Sequence, residues 1–232
     1  MDPMPTGTTP AAYSIYDCTH QPTLRGSASF AIKSLLGRIL MPRRPPRVPT
    51  GEQLLNLGCG QNGREGYVNA DFFRLRGRGN CPCFWGLDLR YPLNCPDNYW
   101  AGAFTEHTLE HLHPADVLAL LKELHRTMQP GAWLRIIVPD LGRYVDYYVG
   151  KPVPSEFLVW QPRGAALRSV AQNYLHASLW DFELLEDCLR RAGFTTIIQC
   201  AFRQGAEPRL LLDTPSRAYE SLYCEAQKKP ND

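Results

Sequence analysis

Three groups of residues in this chain combine type and spacing in ways that could do chemistry. The first is Leu54-Leu55-Asn56-Leu57-Gly58-Cys59-Gly60, followed by Tyr67-Val68-Asn69-Ala70-Asp71. An apolar run ending in close-set glycines reads as a buried parallel strand and a turn that lets a ligand approach the main chain. The lone carboxylate of Asp71, at the tip of the next run, suits hydrogen bonds from ribose hydroxyls. The second is Asp88 in Leu87-Asp88-Leu89, another acid at a strand end. The third is a set of imidazoles: His107 and His111 in Glu106-His107-Thr108-Leu109-Glu110-His111, and His176 shortly before Trp180. Histidine is the natural proton acceptor near neutral pH.

Two of these strings have competing readings. Gly58-x-Gly60-x-x-Gly63 matches the dinucleotide fingerprint, whose acid should lie about 20 residues further on. Asp71 comes too early for that. His107-Thr108-Leu109-Glu110-His111 spells H-x-x-E-H, the inverted zinc-protease signature. On a helix, positions i and i+4 share a face, so both rings could reach one ion. A third, distant ligand would be required, and Phe104-Thr105 before the string reads as a strand end, so no metal is expected. Cys81-x-Cys83 with Cys95 falls short of a zinc set, and the eight cysteines read as reduced thiols.

The elements that must position these groups alternate from residue 51 onward. Strand signals fall at 53–58, 67–71, 84–88, 102–105 and 133–138, with a closing antiparallel pair at 195–201 and 220–226. The clearest helix is 114–128, with Pro114 in its first turn and Val117, Leu121, Leu124 and Met128 on one stripe; Pro130-Gly131 should stop it. A second covers roughly 179–192, with Ser178 or Asp181 as its cap and Gly193 at its end. The pattern predicts an α/β fold, a doubly wound, mostly parallel seven-stranded sheet preceded by an N-terminal arm. Residues 1–50 form that arm, with a short amphipathic helix near 29–40 and an extended proline–arginine linker at 41–49. The domain spans 51–227, and 228–232 is expected to be a disordered tail. Too few residues separate the first two strands for a normal crossover helix, which must be one turn or absent. Residues 73–83 read as a basic loop in place of another helix.

In this order the pieces resemble the class I S-adenosylmethionine-dependent methyltransferases, and most closely their type-11-like branch. The motifs are Leu55-Asn56-Leu57-Gly58-Cys59-Gly60, Asp71, Asp88-Leu89 with Pro92-Leu93, Glu106-His107 with Leu109-Glu110-His111-Leu112, Pro130-Gly131 through Val138-Pro139-Asp140-Leu141, and Ala192-Gly193-Phe194. The resemblance covers roughly 51–227, with Ala132 in place of a usual glycine. It implies a Rossmann-like methyltransferase fold and S-adenosyl-L-methionine as cofactor. Gly58, Cys59 and Gly60 would pass under the methionine moiety, Asp71 would hold the ribose, and Phe72 would lie beside the adenine. Asp88 and Leu89 would meet the adenine edge, while Thr105 and Glu106 close the pocket. His107, His176 and His111 are candidate bases. Asp140 would face the acceptor, with Tyr144, Tyr148 and Trp180 as substrate contacts. Residues 142–177 read as an aromatic lid or acceptor wall, or equally as a satellite core.

Composition excludes little beyond extremes. The net charge of +2 implies no bulk affinity for nucleic acid. The first fifty residues carry six cations against two carboxylates, so the arm could contact an anionic membrane, though a helix capping the domain is the plainer expectation. No secretory signal and no transmembrane run are read, and a cytoplasmic location is expected. The favoured acceptor is a small molecule, through a hydroxyl oxygen of a natural product or sugar. The alternatives are a protein or RNA acceptor held by the basic arm, or a cofactor-binding subunit without catalysis.

Overall fold

A computed structural model describes residues 24–49, 51–73 and 81–230. The first 23 residues of the arm and the arginines of the 73–83 loop (Arg74, Arg76 and Arg78) lie outside the described residues.

Seven strands form one sheet: β1 (Leu54–Leu57), β2 (Tyr67–Asp71), β3 (Phe84–Gly86), β4 (Trp100–Glu106), β5 (Met128–Pro139), β6 (Thr196–Cys200) and β7 (Ser221–Gln227). Their order is β3-β2-β1-β4-β5-β7-β6. The first five strands pair in parallel, and β7 runs antiparallel to both of its neighbours. The order reverses between β1 and β4, so the crevice beyond their carboxyl ends is where such a sheet takes a ligand.

The strands run as the sequence predicts, with two adjustments. The Pro130-Gly131 turn does not stop the preceding helix. That helix, α2 (Pro114–Thr127), ends where the main-chain N–H of Met128 bonds the Leu124 carbonyl. Met128 already pairs with Trp100, and the register then jumps to Gly102 with Trp133, so the turn is a bulge inside β5. The second adjustment concerns the tail: Lys228 is buried, not disordered. Its ammonium bonds Asn98 Oδ1 at 2.9 Å and the Met128 carbonyl at 3.1 Å, which satisfies a charge that burial would otherwise penalise.

Each face of the sheet has its own cover. On one, α2 and α5 (Phe182–Ala192) lay apolar stripes against Leu55, Leu57, Val68, Ala103, Leu134 and Ile136. Asp181 caps α5 by accepting from the Leu184 N–H at 2.9 Å. Gly193 ends it at φ +110°, where a Cβ would lie 3.0 Å from the His125 ring. The other face, around Leu54, Phe104, Ile137 and Tyr223, is covered by the 201–214 connection through Leu210 rather than by an α-helix. Arg135 of β5 anchors that connection from inside the sheet. Its guanidinium bonds Asp213 at 2.7 and 2.6 Å, Glu225 at 3.0 Å and the carbonyls of Ala201 and Gln204.

Helix α1 (Leu24–Leu40) is longer than the pattern predicts and its faces are reversed. Ser34 is buried, whereas Ile32, Leu35, Ile39 and Leu40 stand exposed. Gly37 lets the helix sit directly on Phe73, whose ring would lie 2.1 Å from any Cβ there. The linker after α1 runs extended beside β3, and the Arg43 carbonyl accepts from the Trp85 indole at 3.1 Å. Residues 142–177 resolve into α3 (Leu141–Tyr148), a 3₁₀ turn at Ser155–Val159, α4 (Gly164–Gln172) and a second 3₁₀ turn at Asn173–Leu175. They enclose a core of Tyr144, Tyr147, Phe157, Ala166 and Val170, which is the satellite-core reading of this stretch.

Candidate functional site

Residues 58–66 link β1 to parallel β2 without a helix, and two buried asparagines make this short path workable. Asn56 and Asn69 are register partners on the two strands. Asn69 Oδ1 accepts from Asn56 Nδ2 at 2.9 Å and from the Arg64 N–H at 2.8 Å. Its amide nitrogen donates to the carbonyls of Arg64, Tyr67 and Pro82 at 2.8, 3.1 and 2.8 Å. Main-chain groups that a helix would have satisfied internally are therefore satisfied by a side chain.

That path delivers the glycine turn to the switch point. Gly58 (φ +70°) lies so close to Thr108 that a Cβ would meet its hydroxyl at 1.9 Å, whereas the space above Gly60 (φ +51°) is open. Asp71 accepts from the Gly60 N–H at 2.5 Å and the Phe72 N–H at 2.6 Å, which aims its carboxylate at the turn. Cys59 is buried, with its sulfur 3.9 Å from that of Cys81. Thr105 is buried beneath the crevice with no partner for its hydroxyl among the described residues. The turn, the open space over Gly60 and the aimed acid fit the ribose and methionine portions of S-adenosylmethionine.

Helix α1 occupies the face expected for adenine. Phe30 stacks on Phe72 with centroids 4.2 Å apart and planes 13° from parallel. Ser34 Oγ donates to Asp88 at 2.6 Å, and Arg90 bonds the same carboxylate at 3.0 and 2.6 Å. Burial alone would raise the Asp88 carboxyl, but the bonds from Arg90 and Ser34 outweigh it and hold the group below its ordinary value. Leu89 packs against the main core, and a cavity of about 350 Å³ opens beside Asp88 under α1. Neither Phe30 nor Ser34 is singled out by the sequence, because an aromatic and a serine on a helix face carry no distinguishing pattern.

Glu106, expected at the pocket, turns toward the covering connection instead. It accepts from the Thr214 N–H at 2.9 Å and the Thr214 hydroxyl at 2.5 Å. The three histidines also separate. His107, in a left-handed backbone (φ 48°), is almost fully enclosed, and its Nε2 lies 2.8 Å from Ser221 Oγ. Burial first, and the Arg217 guanidinium second, push its imidazole down to about 4. His111 is 43% exposed, and burial of the remainder holds it below its ordinary value. Its ring meets that of His176 edge-on at 5.0 Å.

Between them lies Glu110, which is not among the residues the sequence assigns a role. It sits in the 3₁₀ turn Leu109–His111, 1% exposed, and burial raises its carboxyl. The signal the sequence offers for it is its place as the acid of the His107–His111 string.

The expected acceptor contacts lie in different settings. Tyr144 is buried, donates to Glu220 at 2.6 Å and has its phenol driven upward first by burial. Trp180 is buried, with its indole on Ser178 at 2.9 Å. Asp140 caps α3 through the Gly142 N–H at 3.0 Å, and burial raises its carboxyl; Tyr148 stands exposed. Tyr144 and Trp180 are thus enclosed, whereas Tyr148 faces solvent.

No family model matches the chain, and no curated protein does. Solved structures align with it at low sequence identity. A methyltransferase from Archaeoglobus fulgidus aligns at TM-score 0.49 and 19% identity, over 88% of this chain and 96% of its own. One from Thermotoga maritima aligns at 0.47 and 16%, over 87% and 89%. The phosphoethanolamine N-methyltransferase 2 of Haemonchus contortus, solved with S-adenosyl-L-methionine, aligns at 0.46 and 14%, over 86% and 52%. The Rossmann-like architecture of the present chain stands on its own strand pairings and order.

Proposed function

We propose that this chain is an S-adenosylmethionine-dependent methyltransferase acting on a small-molecule acceptor, with an oxygen acceptor favoured. The observation that carries this reading is the Gly60 turn with Asp71 aimed at it, at the switch point of a sheet in the order β3-β2-β1-β4-β5-β7-β6. When bound, the cofactor supplies an electrophilic methyl group. The chain's part is to hold donor and acceptor in line, which can account for much of the rate in such a displacement. Gly58 and Gly60 keep the main chain low beneath the donor, and Asp71 orients its ribose. His176 and His111, whose rings meet beyond the carboxyl end of β4, are the imidazoles we propose as takers of a hydroxyl proton. His107 is held as a neutral structural partner of Ser221. Among the described residues no helix is long and apolar enough to cross a membrane.

Calorimetry with S-adenosylhomocysteine tests the reading. The wild-type chain should bind it, and Asp71→Ala should weaken binding by about 10- to 100-fold, the worth of hydrogen bonds to a charged group. No heat of binding, or equal affinity in the variant, would refute the cofactor assignment.

The seat of α1 yields a second expectation. If Phe72 and Asp88 meet the adenine, Phe30 and Ser34 must yield to it, and binding is opposed by the contacts they give up. The double variant Phe30→Ala/Ser34→Ala should therefore bind S-adenosylhomocysteine about 10-fold more tightly, from the loss of one aromatic stack and one hydrogen bond. Weaker binding would instead make α1 a wall of the cofactor pocket.

A further inference from the structure

We propose that Glu110, His111 and His176 form a binding site for a divalent transition-metal ion of the zinc class, with coordination left over for solvent or a ligand. Each offers one donor atom, and these atoms lie within 4.8 Å of one another. Glu110 Oε1 is 4.0 Å from His111 Nε2. Tetrahedral bonds of about 2.0–2.2 Å bring ligand atoms to roughly 3.3–3.6 Å, so closure needs relative movements of about 1.5 Å or less, shared between side chains. Two imidazoles and one carboxylate suit zinc and its neighbours better than calcium or magnesium, which favour all-oxygen sets.

Proton accounting makes the cluster more than a proximity. Neither oxygen of the 1%-exposed Glu110 accepts a well-formed hydrogen bond from another of the described residues. The Val170 carbonyl, 2.7 Å from His176 Nδ1, can only accept, so Nδ1 carries the proton and Nε2 presents a lone pair. Ser221 commits its hydroxyl proton to the Arg217 carbonyl at 2.7 Å, so it accepts from His107 Nε2. His107 Nδ1, 3.4 Å from Glu110 Oε1, is then a lone pair as well. Acceptors therefore face one another around a buried carboxyl, a conflict that either a proton on Glu110 or a cation shared by the cluster relieves.

The backbone is built to hold this arrangement. The N–H groups of Ala177 and Ser178 both donate to the Glu110 carbonyl, at 2.7 and 3.1 Å, which ties the His176 segment to the 3₁₀ turn. Just before His176, Tyr174 and Leu175 take left-handed conformations at φ 62° and 61°, strain of a kind concentrated at ligand clamps. The sequence leads to no expectation of a metal, and the set differs from the H-x-x-E-H reading set aside there. His107 stays outside the three ligands, Glu110 is itself a ligand, and His176 supplies the distant member that reading lacked. Among the described residues Cys81, Cys83 and Cys95 form no such group. The site rests on ligand geometry, and with an ion bound the ligating nitrogens of His111 and His176 no longer take a proton from the acceptor.

The test strips the full-length chain with a chelator and titrates it with cobalt(II) as a visible-absorption probe, then with zinc(II) in competition. Expected are ligand-field bands that saturate at a single ion per chain and vanish on zinc addition. His176→Ala and Glu110→Gln should each weaken cobalt binding by about 100-fold or more, at least the loss seen when outer-shell partners are removed. If Glu110→Gln fails to fold, His111→Gln at the half-exposed position decides instead. Absence of bands in folded wild-type protein, or unchanged cobalt affinity in His176→Ala and His111→Gln, overturns the proposal.

Discussion

Replacing Arg135 by Met should destabilise the protein by about 3–5 kcal/mol, read from urea unfolding followed by far-ultraviolet circular dichroism. Arg135, Asp213 and Glu225 are all fully buried, and the guanidinium is what reconciles the two carboxylates with the interior. Methionine fills much of the same volume but leaves both acids unpaired. A triple replacement by apolar residues should recover only part of the loss. Asp213 also accepts the Arg203 N–H at 2.6 Å and Glu225 the Ala206 N–H at 2.5 Å, while Arg135 serves two carbonyls. Those main-chain groups would stay unpaired in the apolar version. The consequence reaches the site, because this connection continues to Thr214, which fixes Glu106 at the end of β4. A loss below about 1 kcal/mol would show that water can reach the triad and that the connection is held by Leu210 alone.

What the sequence makes legible and what it hides divide by the range of the interactions involved. The strands, α2 and α5 announce themselves through local periodicity and caps, so Asp181 and Gly193 are placed by their neighbours in the chain alone. Arg135 reads in sequence only as a cation interrupting Leu134 and Ile136, because its partners lie 78 and 90 residues away. Helix α1 inverts the rule that apolar residues point inward, since its inward positions serve Asp88 and Phe73 rather than a core. The histidines stand out by type, but their roles depend on neighbours no spacing supplies: Ser221 encloses His107, and Val170 orients His176. The aromatic stretch after Asp140 is lid or core by composition, and only packing around Phe157 separates the two.

Replacing Asn69 by Ala should cost about 3 kcal/mol of stability and, with it, nucleoside binding. The cost follows from what the amide holds: its removal strips partners from the Arg64 N–H, the Arg64 and Pro82 carbonyls and the Asn56 amide. Each unsatisfied buried group costs roughly 1–3 kcal/mol. The loop groups are only half-buried, so water offsets some of the total. Asn69→Asp should fare no better, since a carboxylate has no donor for the three carbonyls that the amide nitrogen serves. Hydrogen exchange at the Arg64 amide distinguishes this account from simple loss of packing. Its protection should collapse in Asn69→Ala under conditions where α2 and α5 amides stay protected. Uniform deprotection across the domain would instead make Asn69 an ordinary core position. Because Gly60 and Asp71 flank this connection, local release there would separate the turn from its acid, and S-adenosylhomocysteine binding should fall even in the fraction that remains folded.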